Sequence, residues 1–247
     1  MTEIKTTNDY LLNKKVRIIQ SDDAYRTSSD AVLLAAMMHR IKSGAKILDV
    51  GSGTGSVSLC LAYRFRTAEI IGFEIQEKLV ELANMSAKVN GFENLKYFCH
   101  DIKEKKTPFD FCSFDYVITN PPYFQPGYVS ENQSKAAAHN GQDIGLDEWL
   151  RFCIKMLKPF GTLCLIDRAE ALDEILSLLY RKTGNIQILP VYSKKGQDAK
   201  RVILLAQKDS KASVRILNPL IVHDEKGHTK AAEQILRDGK SYFEIDF

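Results

Sequence analysis

Four consecutive residues, Asn120, Pro121, Pro122 and Tyr123, bring together a carboxamide, two imino acids and a phenol. The paired prolines fix φ and remove two N–H donors, which leaves carbonyl oxygens free to act as acceptors. The amide oxygen of Asn120 and the carbonyl of Pro121 are then suited to accept the two hydrogens of an NH2 group. Such a nitrogen, on an aromatic ring or in an amide, is a poor nucleophile because its lone pair is delocalised. Holding both hydrogens out of plane localises that pair and aims it at an electrophilic carbon such as a sulfonium methyl. Positioning and electrostatic stabilisation suffice for this chemistry, with no covalent intermediate. Tyr123, extended by Phe124, is placed to stack on a flat acceptor. The same tetrapeptide is also an ordinary rigid turn after a strand, so its setting decides between the two.

That setting includes Asp49-Val50-Gly51-Ser52-Gly53-Thr54-Gly55, a glycine loop between a strand-like run and a helix. Glycine serves a tight turn where a ligand approaches the backbone, and the following helix N-terminus favours an anionic group. The spacing is G-x-G-x-G, not the dinucleotide G-x-G-x-x-G, and no G-K-[ST] follows, which excludes a Walker A loop. Glu74 ends the next strand-like run, about 20 residues on, where a carboxylate can accept hydrogen bonds from both ribose hydroxyls. Asp101 follows the third run and can meet an adenine amino group. An NAD enzyme would use the loop and Glu74 equally well, so the tetrapeptide discriminates.

The elements that must hold these residues form a strand–helix alternation. Lys46–Val50, Glu69–Phe73, Leu95–Cys99 and Tyr116–Thr119 read as the first four core strands. Thr54–Tyr63 and Gln76–Asn90 read as helices between them, the second ended by Gly91. A polar loop spans 124–145, then a helix runs through Trp149 to Leu157. Thr162–Ile166, a helix over Leu172–Tyr180, and strands near Ile186–Val191 and Val202–Ala206 complete the series. Ahead of it lie a short strand, Val16–Gln20, and an apolar helix from Ala31 to about His39. About seven strands alternating with helices predict an α/β fold, a doubly wound Rossmann-like and mostly parallel sheet. Residues 1–44 read as an N-terminal extension packing on the core and 45–247 as one catalytic domain, whose tail from Lys208 packs on the sheet.

Composition agrees. Hydrophobic residues at 45% and charged residues at 26% mark a globular chain, and a net charge of +3 permits nucleic-acid contact without demanding it. Five scattered cysteines, without a close C-x-x-C pair or histidines at zinc-ligand spacing, predict free thiols and no metal. The opening Met1-Thr2-Glu3-Ile4-Lys5 lacks an apolar signal-peptide core, which fits a cytoplasmic location.

On these residues the chain resembles class I S-adenosylmethionine-dependent methyltransferases of the N-P-P-Y type, which modify amino or amide nitrogens. Within them it looks most like the TrmN6-like family, which methylates N6 of the adenosine beside the anticodon of tRNA1(Val). Ser28-Ser29-Asp30-Ala31-Val32-Leu33-Leu34-Ala35 is similar to that family's upstream motif beside the cofactor. Ala136–Asn140 and Leu146–Leu150 resemble its post-catalytic loop and helix, Lys200–Leu204 its late strand, and His223–Gly227 to Thr229 its closing region, with His228 where an aromatic is often found. The resemblance implies S-adenosylmethionine as cofactor, lined by Ser29, Asp30, Asp49, Gly51, Gly53, Gly55, Glu74, Asp101 and Ile102. It implies that Asn120, Pro121, Pro122 and Tyr123 hold the target base, and that the partner is RNA, with tRNA expected.

Two alternative acceptors stay open, a protein glutamine amide and guanine N2 of ribosomal RNA. A catalytically inactive partner subunit is the non-enzyme alternative. Glutamine methyltransferases usually carry a helical domain before the glycine loop, where this chain has only about 44 residues. Lys103–Lys106 reads as a solvated loop. Lys194, Lys195, Lys200 and Arg201 are candidates for phosphate contact, and Lys14, Lys15 and Arg17 form a smaller patch near the predicted N-terminal edge of the site. His139 reads as either a pocket-shaping or a surface residue, and Trp149 as a core residue of an amphipathic helix.

Overall fold

The computed structural model describes residues 6–21, 28–122 and 144–246. Tyr123, Phe124 and the 136–140 segment with His139 therefore lie outside the described residues. The chain opens with β1 (Thr6–Leu11) and β2 (Val16–Ser21), an antiparallel pair that forms its own two-stranded sheet. Then follow α1 (Ser29–Ala36), β3 (Lys46–Val50), α2 (Ser56–Arg64), β4 (Glu69–Glu74), α3 (Glu77–Val89), β5 (Leu95–Cys99) and β6 (Phe114–Thr119). After the undescribed segment come α4 (Leu146–Met156), β7 (Leu157–Arg168), α5 (Leu172–Leu179), β8 (Thr183–Lys194), β9 (Ala199–Lys208), β10 (Arg215–Ile216), β11 (Leu220–His223) and α6 (Lys230–Leu236).

The main sheet runs β10-β8-β9-β7-β6-β3-β4-β5, with β11 also beside β8. Every pairing in it is parallel except those of β9, which lies antiparallel between β7 and β8. The mostly parallel α/β sheet is as the sequence predicts, but the strand count is not. Among the described residues the sheet has nine strands where about seven are expected, because the tail contributes β10 and β11 to the edge of β8 instead of merely covering the sheet.

Alternation along the strands sorts the core onto two faces. Ile47, Ile70, Ile118, Ile166 and Ile203 pack with α1, α2, α3 and α6. Leu48, Phe73, Val117, Leu165 and Leu204 pack with α4 and α5. The N-terminal hairpin is held from the first side: Ser86 Oγ accepts the Ile19 N–H at 2.9 Å, and Asn90 bonds both backbone groups of Arg17. Asn90 follows the last turn of α3, at the sheet edge opposite the glycine loop. Lys15 donates to the Asp238 carbonyl and Arg17 to Asn8. No helix among the described residues is long and apolar enough to cross a membrane.

Candidate functional site

Three parallel strands deliver the candidate residues to one level of the sheet. Val50 is registered against Phe73 of β4 on one side and Thr119 of β6 on the other. Gly51, Glu74 and Asn120 are the next residues on their three strands. Glu74 is in turn level with Cys99, two residues before Asp101. With strands about 4.8 Å apart, Glu74 and Asn120 face each other across β3 at roughly 10 Å. This is the crevice outside the carboxyl ends of the strands, where ligands of open α/β sheets bind.

The loop is clamped from below. Gly51 and Ser52 both donate N–H groups to the Phe73 carbonyl at 2.9 Å. Gly53 donates to Glu74 Oε2 at 3.0 Å, and Gln76 donates its N–H to Oε1 at 3.0 Å. The Glu74 carboxylate is thus buried yet ligated, and burial raises its pKa above the ordinary value against these hydrogen bonds. Gly51 has φ +74, and a Cβ there would meet the Trp149 ring at 2.8 Å. Tyr97, buried on the α2 side, donates its hydroxyl to the Gly55 carbonyl at 3.2 Å.

Asp49 lies beneath the loop, fully buried against α2, where the Ser58 hydroxyl donates to it. Desolvation pushes its pKa up to about 7, outweighing the Ser58 hydrogen bonds, and the nearby Glu74 charge adds to the rise. Asp49 is therefore a carboxyl group that shapes the turn from inside. Asp101 is half-buried and accepts the Lys103 N–H at 2.9 Å, and Ile102 is half-buried beside it. His100, just before, is buried edge-on to Phe73 with ring centroids 4.8 Å apart, and burial lowers its pKa.

Asn120 is half-buried and Pro121 buried at the end of β6, while Pro122 is exposed. Ser29 is exposed at the start of α1. Asp30 is engaged on the acceptor side of the loop: Arg201 Nε donates to its Oδ2 at 2.9 Å, and Arg201 is level with Arg168 at the end of β7. Lys194, Lys195 and Lys200 are exposed on the β8–β9 hairpin. Because β8 is parallel to the core strands, that hairpin leaves the sheet at the same edge as Asn120. It is three strand spacings, about 14 Å, from β6. Among the described residues no group of three or more His, Cys, Asp or Glu can hold a metal ion.

The structure also adds residues that the sequence reading passes over. Thr119, fully buried, donates its hydroxyl to the Val50 carbonyl at 2.8 Å and accepts the Trp149 indole N–H at 2.9 Å. Ser58 and Tyr97 support the loop from the other face. Only a serine within an apolar helical run, or a threonine directly before Asn120, marks such positions in sequence.

The donors and spaces present fit S-adenosylmethionine. Glu74 is a buried acceptor at the end of β4, the Gly53 turn leaves open space where a Cβ would project, and the buried Ser52 hydroxyl has no hydrogen-bond partner among the described residues.

The chain is similar to several known proteins. A family model described as a methyltransferase domain matches residues 41–210. A Bacteroides fragilis protein named tRNA1(Val) (adenine(37)-N6)-methyltransferase is 30% identical over 152 residues, which are 61% of this chain and 63% of that relative. A Tolumonas auensis protein of the same name is 26% identical over 198 residues, 79% of this chain and 81% of its own. Among solved structures, a predicted O-methyltransferase from Agrobacterium tumefaciens superposes with a TM-score of 0.72 at 24% identity, covering 86% of this chain and 97% of its own. TYW2 from M. jannaschii, in complex with AdoMet, gives 0.56 at 11% identity, covering 84% of this chain and 87% of its own. At these identities the solved structures speak for the fold alone.

Proposed function

Because the chain belongs to the methyltransferase domain family, we propose that it moves a methyl group from S-adenosylmethionine to N6 of an adenosine in tRNA. The observation that carries this reading is the shared level of Val50 and Thr119, which sets the glycine loop and the Asn120-Pro121-Pro122 turn on adjacent strands. When bound, S-adenosylmethionine supplies an electrophilic methyl on a sulfonium. Glu74 would hold the ribose, Asp101 and Ile102 the adenine, and the Gly51–Gly55 turn the amino-acid portion.

Asn120 and the Pro121 carbonyl would then accept the two hydrogens of the target amino group and free its lone pair for attack. After transfer the nitrogen carries one proton too many, and the same acceptors hold it until solvent removes it. A base in a stacked loop must be extruded to reach this turn, at a cost of a few kcal/mol. The hairpin with Lys194, Lys195 and Lys200 supports an RNA substrate, since phosphates flanking an extruded base fall within its reach. The names of the B. fragilis and T. auensis relatives support tRNA and the N6 position.

The test is transfer of labelled methyl from S-adenosylmethionine to hypomodified bulk tRNA, followed by nucleoside analysis. Label is expected in N6-methyladenosine, and Asn120→Ala is expected to lower the rate at least about 100-fold, as loss of a positioned acceptor does. No label in tRNA from protein that binds the cofactor would overturn the acceptor and redirect attention to ribosomal guanine and protein glutamine.

A further inference from the structure

Trp149 is the only tryptophan in the chain, and it lies 9% exposed in the first turn of α4 against the strand ends that carry both halves of the site. Its indole N–H donates to Thr119 Oγ1 at 2.9 Å, and the one hydroxyl proton of Thr119 goes on to the Val50 carbonyl at 2.8 Å. The polarity of this chain is fixed, because an indole only donates and a carbonyl only accepts. Each end of it is one residue from a loop that matters. Val50 precedes Gly51, and Thr119 precedes Asn120. The six-membered side of the indole fills the space a Cβ on Gly51 would take, with ring carbons at 2.8 and 2.9 Å from that point. One side chain thus touches the glycine loop by packing and the acceptor turn by a buried hydrogen bond.

We infer that Trp149 is a positioning residue that sets the glycine loop and the Asn120 turn at a fixed separation. In a transfer between two bound groups, that separation is the reaction distance, and an error near 1 Å costs about 100-fold in rate. The inference rests on the proposed methyl transfer and adds which residue holds donor and acceptor in register. Backbone pairing of β3 with β6 fixes the strands, but it ends at Val50 and Thr119. Beyond that level the alignment depends on side chains, and among the described residues Trp149 reaches both loops. The cofactor binds on one of the two loops, so disturbing the link disturbs transfer more than cofactor affinity.

The experiment uses the full chain in two arms. In the first, S-adenosylmethionine is titrated while the emission of this single tryptophan is followed, with thermal shift as an independent measure of binding. A saturable change in emission that tracks the thermal shift is expected. Binding seen by thermal shift with emission unmoved would overturn the inference. In the second, Thr119→Val, which removes the hydroxyl at nearly constant volume, is compared with Thr119→Ser and with Trp149→Phe on hypomodified tRNA. Thr119→Val and Trp149→Phe are expected to lower kcat about 10-fold or more, with the cofactor Kd changed less than about threefold. Thr119→Ser is expected to recover most of kcat. A purely structural link would lower Tm while leaving kcat per folded molecule intact, and that result would overturn the inference. A wild-type protein inactive on tRNA defeats the acceptor reading instead, and the fluorescence arm still judges Trp149.

Discussion

Gly51 and Gly53 sit two residues apart in the same loop, and both have positive φ, +74 and +56. Replacing either by alanine forces an L side chain into the left-handed region, at about 1–2 kcal/mol. What separates them is what a Cβ would meet. At Gly53 nothing among the described residues lies within 4 Å, whereas at Gly51 the Trp149 ring is at 2.8 Å. That ring has little room to withdraw, because its N–H is bonded to Thr119 and its other face is in the core. Overpacking of this kind costs about 1–3 kcal/mol more. Gly51→Ala is therefore expected to destabilise the fold by about 2–5 kcal/mol, and Gly53→Ala by only about 1–2 kcal/mol. Urea unfolding of the two variants at one pH reads the difference directly. A Trp149→Phe background, which shortens the ring, should shrink the excess at Gly51 and leave Gly53→Ala unchanged. Equal losses at the two positions, or an excess that survives Trp149→Phe, would show that the indole does not restrict Gly51.

Two further outcomes follow from the buried acids. Asp49 has a pKa near 7 in the fold against an ordinary 3.8, so the native state binds its proton more tightly than the unfolded chain does. Its contribution to stability is complete below pH 4 and is lost as pH rises to 7, at about 1.4 kcal/mol per pH unit. Asp49→Asn should accordingly gain about 2–3 kcal/mol relative to wild type between pH 5 and pH 8; parallel pH trends for the two proteins would refute the assignment. Glu74→Gln removes the charge that accepts from Gly53 and Gln76. Loss of charge-assisted bonds of about 1.5–3 kcal/mol is expected to weaken S-adenosylmethionine binding about 10- to 100-fold by calorimetry. A Kd within threefold of wild type would remove Glu74 from the ribose position.

The central strands were legible because β3 and β4 are short apolar runs buried on both faces, one stopped by a glycine and the other by an acid. β1 was not legible. Its Thr6-Thr7-Asn8-Asp9-Tyr10-Leu11 alternates only between exposed and half-buried positions, so no hydrophobic period marks it. β7 is longer than the apolar run Thr162–Ile166 suggests, since Pro159 and Gly161 read as breakers yet lie within its first half. The gathering of Gly51, Glu74 and Asn120 at one level of the sheet was legible because each directly follows or ends an apolar run of a parallel strand. Trp149 was legible as a core residue. Its hydrogen bond to a threonine 30 positions earlier was not, because that contact exists only once α4 has docked on β6. The raised pKa of Asp49 escaped the sequence for a similar reason, since it depends on how completely the helix over it excludes water.

The antiparallel insertion of β9 has a consequence for how the chain is made. β8 is synthesised before β9, yet its place in the sheet is beyond β9, and the neighbour of β7 is β9 itself. A nascent chain that has emerged only to the hairpin at Lys194 therefore presents β7 with an open hydrogen-bonding edge, and β8 with no docking position. Both are apolar strands of 12 residues, the sort of exposed edge that recruits strands from other molecules. Residues 199–208 act as the piece that closes the sheet. A chain stopped short of them is expected to aggregate even though the glycine loop and the Asn120 turn have already been made.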